Sequence, residues 1–218
     1  MEGPRRQGEH RCRMRTLLTH ATLIDCVKPI AQPDCSVLLE EGRIKAIFPA
    51  GNAPPVDDAE VIDLRGAWLM PGLWDVHIHP DYFNTLADMP LTEQVTLFGS
   101  RLRTALLDSG MVGFRCAGAH HYMDVAWKRA FDSGQHLGPR LFASGHFLTT
   151  TGGHFLTSGH ALEVDGPYGW VKAIREQIKN GVDHIKMNLS GGIMGPDWDQ
   201  HKHSFLLDDE LKDAFEIC

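Results

Sequence analysis

The chain has 218 residues, 43% hydrophobic and 22% charged, with a formal net charge of −7. These are ordinary values for one or two globular domains, and the negative charge argues against general nucleic-acid binding. There is no apolar run of 18 or more residues, which argues against a membrane span, and five scattered cysteines without paired zinc spacing or a secretory leader point to a reducing, cytoplasmic location.

Residues 1–13 carry Arg5, Arg6, Arg11 and Arg13 without an apolar core, unlike a secretory signal. Glu2 and Glu9 argue against a transit peptide. This segment is expected to be a disordered extension before a second potential start at Met14. Residues 16–24 read as a first strand. Residues 36–40 and 43–48 alternate around Glu41-Gly42, the pattern of a hairpin. A Pro-rich loop covers 52–58, and short strands at 60–64 and 67–70 flank Arg65-Gly66. Residues 14–70 therefore read as a small β domain.

Pro71-Gly72 interrupts that pattern. Residues 73–79 read as a strand whose period of two puts Asp75, His77 and His79 on one face. Trp74, Val76 and Ile78 share the other face, which is expected to pack against helices. Two imidazoles two residues apart can bind one metal ion, and imidazole suits zinc, iron, nickel or copper. The chain has 13 histidines, so a His-x-His pair by itself also arises by chance. Pro80 fits the strand's end.

A helix is expected over 92–108, with Val95, Phe98, Leu102, Ala105 and Leu106 on one face, ended by Ser109-Gly110. A second strand covers 111–116, a helix 123–133, a third strand 140–144, a helix 168–180 and a fourth strand 182–187. Leu206-Leu207-Asp208-Asp209-Glu210 opens a further helix with acids in its favourable first turn. On the fourth strand, His184, Lys186 and Asn188 share a face opposite Ile185 and Met187. A lone interior ammonium is costly to desolvate. Lowering its pKa leaves a neutral amine, which can add carbon dioxide to give a carbamate able to bridge two metal ions. The plainer alternative is a lysine paired with an acid. A neutral lysine would also serve as a Schiff-base nucleophile.

The run Met70-Pro71-Gly72-Leu73-Trp74-Asp75-Val76-His77-Ile78-His79 resembles the first barrel strand of the metal-dependent amidohydrolase superfamily. The resemblance implies that His77 and His79 are metal ligands. Ile185-Lys186 followed by Ser190-Gly191-Gly192-Ile193 resembles one branch, the prolidase-like Xaa-amino-acid dipeptidases and the ochratoxin-hydrolysing amidohydrolases. Their lysine is a carboxylated bridging ligand, so the resemblance implies the same of Lys186. Residues 138–145 resemble that branch's third strand and lead to Thr150-Thr151-Gly152-Gly153-His154, which matches its Thr-Gly-Gly-His loop. His154 is then expected to donate to the substrate's carboxylate or carbonyl, the alternative being a histidine that ties the loop down. His146 and His160 are read as structural. Phe114-Arg115-Cys116-Ala117-Gly118 departs from the branch, which has Arg-Asp followed by a glycine pair. Cys116 replaces the acid, and Arg115 remains a second candidate for substrate binding. His120 and His121 are adjacent, point apart and are not a natural chelating pair.

The resemblance implies an α/β fold, a (β/α)₈ TIM barrel of amidohydrolase type, with residues 71–218 as its N-terminal half and 14–70 as part of a β-sandwich. A complete barrel needs about 250 residues, so a truncated chain or fragment is expected. The implied activity is metal-dependent hydrolysis of carbon–nitrogen bonds in a dipeptide or N-acyl amino acid. Two divalent metals, zinc first among them, would be held by His77, His79, the Lys186 carbamate and ligands on later strands, and the catalytic aspartate belongs to strand eight. No nucleic-acid or membrane partner is expected. The alternatives are an inactive fragment, a product that pairs with another chain to complete the barrel, and a Schiff-base lysine barrel enzyme, with a homo-oligomer as the assembly considered.

Overall fold

The computed structural model describes residues 15–49, 51–53, 55–81, 89–155, 161–193 and 195–218. The extension expected over 1–13 lies outside the described residues, as does His160. The chain divides into two compact units between Pro71 and Gly72.

The first unit is a five-stranded sheet of β1 (Arg15–Leu23), β2 (Gln32–Glu40), β3 (Arg43–Phe48), β4 (Ala59–Asp63) and β5 (Trp68–Leu69). Its order is β3-β2-β1-β4, with β5 also paired to β1. β2 and β3 form the expected antiparallel hairpin. Glu41 and Gly42 have φ values of 51° and 73°, as a two-residue turn of type I′ requires. β4 and β5 do not pair with each other. Both run parallel to β1, one after the other. The break between them at Arg65-Gly66 meets an irregularity in β1 at His20, where the Gly66 N–H donates to the His20 carbonyl at 2.7 Å. Leu23, Cys35 and Val37 form the buried centre of this unit, with Leu18, Leu39 and Leu69 packed against it.

The second unit begins with β6 (Leu73–Ile78), α1 (Leu91–Ser109), β7 (Met111–Cys116), α2 (Met123–Asp132) and β8 (Arg140–Phe142). It continues with β9 (Phe147–Thr149), β10 (Ala161–Glu163), α3 (Pro167–Asn180) and α4 (Asp208–Ile217). β6, β7 and β8 form a parallel sheet in that order, with α1 and α2 as the crossovers such pairing needs. The apolar stripe of α1 buries Phe98 and Leu102 against Phe114, Cys116 and Leu141. Gly110 (φ 65°) ends that helix in the left-handed region, its N–H donating to the Ala105 carbonyl. A second core gathers Leu148, Trp170, Ile174, Leu206 and Ala214. Glu210 ties the starts of two helices together, accepting the Leu207 N–H at 2.8 Å and the Gly166 N–H at 2.6 Å. Among the described residues, no helix is long and apolar enough to cross a membrane.

Two expectations are corrected. Residues 182–187 are not a strand. The segment runs beside β9 through a single parallel bridge between Leu148 and Met187, flanked by hydrogen bonds of 2.9 Å from Leu148 N–H to the Lys186 carbonyl and from Asn188 N–H to the Leu148 carbonyl. Earlier in the segment a side chain takes one backbone donor: Asp183 Oδ2 accepts the Ala143 N–H at 2.8 Å, while the Ala143 carbonyl accepts the Asp183 N–H at 2.7 Å.

Nor does β6 hold one parity along its length. Asp75 Oδ1 accepts the His77 N–H at 3.0 Å, and the pairing with β7 shifts register between Asp75 and Ile78. Of the three apolar residues expected under helices, Ile78 packs against the α1 core. Trp74 and Val76 are 46% and 56% exposed. Trp74 instead covers Gly113, where a Cβ would come within 2.5 Å of its ring, and lies 6.0 Å from Phe142.

Candidate active site

His77 and His79 stand at the C-terminal end of β6, the end at which parallel α/β sheets carry their sites. Their ring centroids are 5.3 Å apart. His77 borders two cavities. One, of about 600 Å³, it shares with Arg115, His184, Lys186 and Met187. The other, of about 640 Å³, it shares with Asp75, His79 and Arg101. His77 thus borders one cavity with Lys186 and another with His79, while Lys186 and His79 line different cavities.

The electrostatics of the Lys186 cavity favour neutral groups. Burial pushes the half-buried Lys186 ammonium below its ordinary pKa, and the Arg115 guanidinium pushes the same way. Burial first, then the positive charges of Lys186 and Arg115, lower His77. Burial and Arg115 lower His184. A metal ligand must be deprotonated, and all three shifts act in that direction. Arg115 itself is tied to β6, with Nε donating to the Val76 carbonyl at 2.7 Å.

His79 is oriented by backbone. Its Nδ1 lies 3.2 Å from the Gly118 carbonyl, and a carbonyl only accepts, so the proton is on Nδ1 and the lone pair on Nε2. Metal-binding histidines are commonly held this way. Burial lowers its pKa against the opposing pull of that hydrogen bond. Gly118 is required at this point: its φ is 138°, and a Cβ would fall 1.8 Å from the Phe147 ring. The Cys116 thiol donates to the same carbonyl at 3.4 Å. It is fully buried, and burial pushes its pKa well up, so it is a core thiol.

His154 belongs to a second cluster. Its Nδ1 lies 3.1 and 2.9 Å from the two carboxylate oxygens of Asp199. Phe155 connects the clusters, with its ring centroid 4.1 Å from that of His154 and 5.9 Å from that of His79. Phe155 has φ of 71°, a strained conformation for a bulky residue. The His120 and His121 rings are 5.9 Å apart, and buried Asp81 accepts the His120 N–H at 2.7 Å. The His146 N–H donates to Gln177 at 3.0 Å.

Among the described residues no three of His, Cys, Asp and Glu group closely enough to hold a metal ion. Of the ligands expected from sequence, the described residues include the two imidazoles of His77 and His79 and the Lys186 amine. That set fits a divalent metal in donor chemistry. His184 and Asp199 had no role assigned from sequence. His184 carried a signal, since it lies two residues before Lys186. Asp199 carried none, being 45 residues from His154.

The model of the amidohydrolase family matches residues 68–218. An ochratoxinase from Aspergillus niger is 31% identical over 159 residues, which are 59% of this chain and 32% of that protein. A solved prolidase complexed with N-methylphosphonate-L-proline superposes with a TM-score of 0.81 at 27% identity, covering 94% of this chain and 53% of that one. A Xaa-Pro dipeptidase with bound methionine gives 0.78 at 25% identity, covering 93% and 53%. The chain spans about half the length of these solved relatives, and its matched stretch about a third of the ochratoxinase.

Proposed function

Because the chain belongs to the amidohydrolase family, we propose that it contributes His77, His79 and Lys186 to a metal-dependent site that hydrolyses carbon–nitrogen bonds. The observation that carries this reading is Lys186, a lysine with a lowered pKa in one cavity with His77. Its neutral amine adds carbon dioxide, forming an N–C bond and releasing one proton to solvent. The resulting carbamate offers two anionic oxygens. A pair of divalent ions held there, zinc by the imidazole donors, would acidify a water molecule and polarise an amide carbonyl.

The chain's own residues do the rest. Gly118 fixes the Nδ1 proton of His79, and Arg115 adds to the effect of burial in lowering the Lys186 pKa while bracing β6. His154 meets the substrate's carboxylate or carbonyl. The prolidase and Xaa-Pro dipeptidase relatives support a dipeptide, and an N-acyl amino acid presents the same amide beside a carboxylate. The described cysteines are unpaired, which supports a reducing compartment such as the cytoplasm.

The test is a panel of dipeptides and N-acyl amino acids offered to the chain after loading with zinc and bicarbonate. Release of free amino acid that stops on chelation supports the reading. Hydrolysis that survives chelation contradicts it.

A further inference from the structure

Asp199 is 3% exposed, and its two carboxylate oxygens have different tasks. Oδ1 accepts the Gly192 N–H at 2.7 Å. Oδ2 makes the shorter approach to His154 Nδ1, at 2.9 Å. A carboxylate only accepts, so the imidazole proton is held on Nδ1. The ring is gripped from other directions as well. A Cβ on Gly192 would stand 2.1 Å from His154 Cε1 and 2.6 Å from Nδ1, so glycine is needed for this approach. The Phe155 ring packs edge-on against it. Asn188 Nδ2 donates to the His154 carbonyl at 3.3 Å, anchoring the backbone from the segment that carries Lys186.

We propose that Asp199 is the positioning residue of His154, setting its tautomer so that Nε2 is the nitrogen offered to substrate. Neutral His154 then takes a proton at Nε2. As the imidazolium, compensated by Asp199, it donates from Nε2 to a carboxylate. This rests on the reading of His154 as a substrate-side residue, yet its test needs neither metal nor turnover.

The test is Asp199→Asn, read by the tautomer of His154 in two- and three-bond proton–nitrogen correlation spectra of the full chain, with His154→Gln identifying the signal. Oδ1 also lies 3.1 Å from Nδ1, but Oδ2 makes the shorter approach, at 2.9 Å. The Gly192 N–H requires the amide oxygen of the new side chain at the Oδ1 position. The amide NH₂ therefore replaces Oδ2 and donates to Nδ1, driving the imidazole proton to Nε2. The expected result is an Nδ1–H tautomer in the parent chain and an Nε2–H tautomer in the variant. An Nε2–H tautomer in the parent overturns the proposal, and that measurement stands even if the variant fails to fold. An unchanged tautomer in a folded variant overturns it too. Hydrolysis that survives chelation, with the tautomer pattern intact, would count against the proposed function and leave this assignment standing.

Discussion

His79 donates its Nδ1 proton to the carbonyl of Gly118 at 3.2 Å, and that same glycine makes room for Phe147, whose ring would lie 1.8 Å from any Cβ placed there. One backbone position thus sets both the tautomer of a candidate ligand and the packing of the ring beside it. Gly118→Ala is expected to displace Phe147 and loosen His79. Alanine keeps the carbonyl but displaces it, so the expected cost is about 10-fold in affinity, the low end for loss of a partner that orients a metal-ligating histidine. Calorimetric titration with zinc should show a loss of that order, and unchanged affinity in a folded variant would separate Gly118 from the site.

Lys186 carries a linkage consequence. Its folded pKa lies below the ordinary lysine value, chiefly through burial, so the folded state binds fewer protons than the unfolded state. Its destabilising contribution is absent above the unfolded pKa, develops as pH falls toward the folded pKa and is complete below it. Lys186→Met should therefore raise the Tm of the metal-free chain at neutral pH. One kcal/mol corresponds to about 2–4 °C in a chain of this size, and partial exposure keeps the gain small. Melts at rising pH should show the gain shrinking through the lysine range. A variant that melts below the parent at neutral pH would refute this.

The thiols should differ sharply in reactivity. Cys26 and Cys218 are exposed, whereas Cys35 and Cys116 are buried. Burial also raises the pKa of Cys116 well above that of a free thiol, and the thiolate is the reactive form. Among the described cysteines, iodoacetamide on the native chain should modify Cys26 first and leave Cys116 untouched until the chain is unfolded. Peptide mapping reads this directly.

The α1 core sets the stability of the second unit. Phe98 is fully buried among Leu102, Phe114 and Leu141, so Phe98→Ala should cost about 3–5 kcal/mol. Leu107 on the same helix is 52% exposed, and Leu107→Ala should stay within about 0.5 kcal/mol. Urea unfolding of the two variants distinguishes buried from exposed face.

Much of this was legible in the chain's periodicities. The hairpin at Glu41-Gly42, the α1 stripe and the glycine ends of α1 and α3 follow from local chemistry, and each appears where sequence placed it. What escaped were places where a side chain replaces a backbone partner. Asp75 bonds to the His77 N–H and breaks the parity of β6. Asp183 takes the Ala143 N–H and leaves residues 182–187 as an extended segment with one bridge. In the site, the spacing of two between His77 and His79, and the polar face holding His184 and Lys186, could be read locally. Asp199 could not, because its pairing with His154 spans 45 residues and no spacing rule reaches that far.

The central claim is that Lys186, as a carbamate, joins His77 and His79 in holding metal. Zinc uptake by the purified chain, measured with and without labelled bicarbonate and compared with Lys186→Met, tests it most directly. Uptake is expected to require both bicarbonate and Lys186 and to be accompanied by a carbamate signal that the variant lacks. Zinc uptake indifferent to bicarbonate and to Lys186, or a parent chain that takes up none, would contradict it.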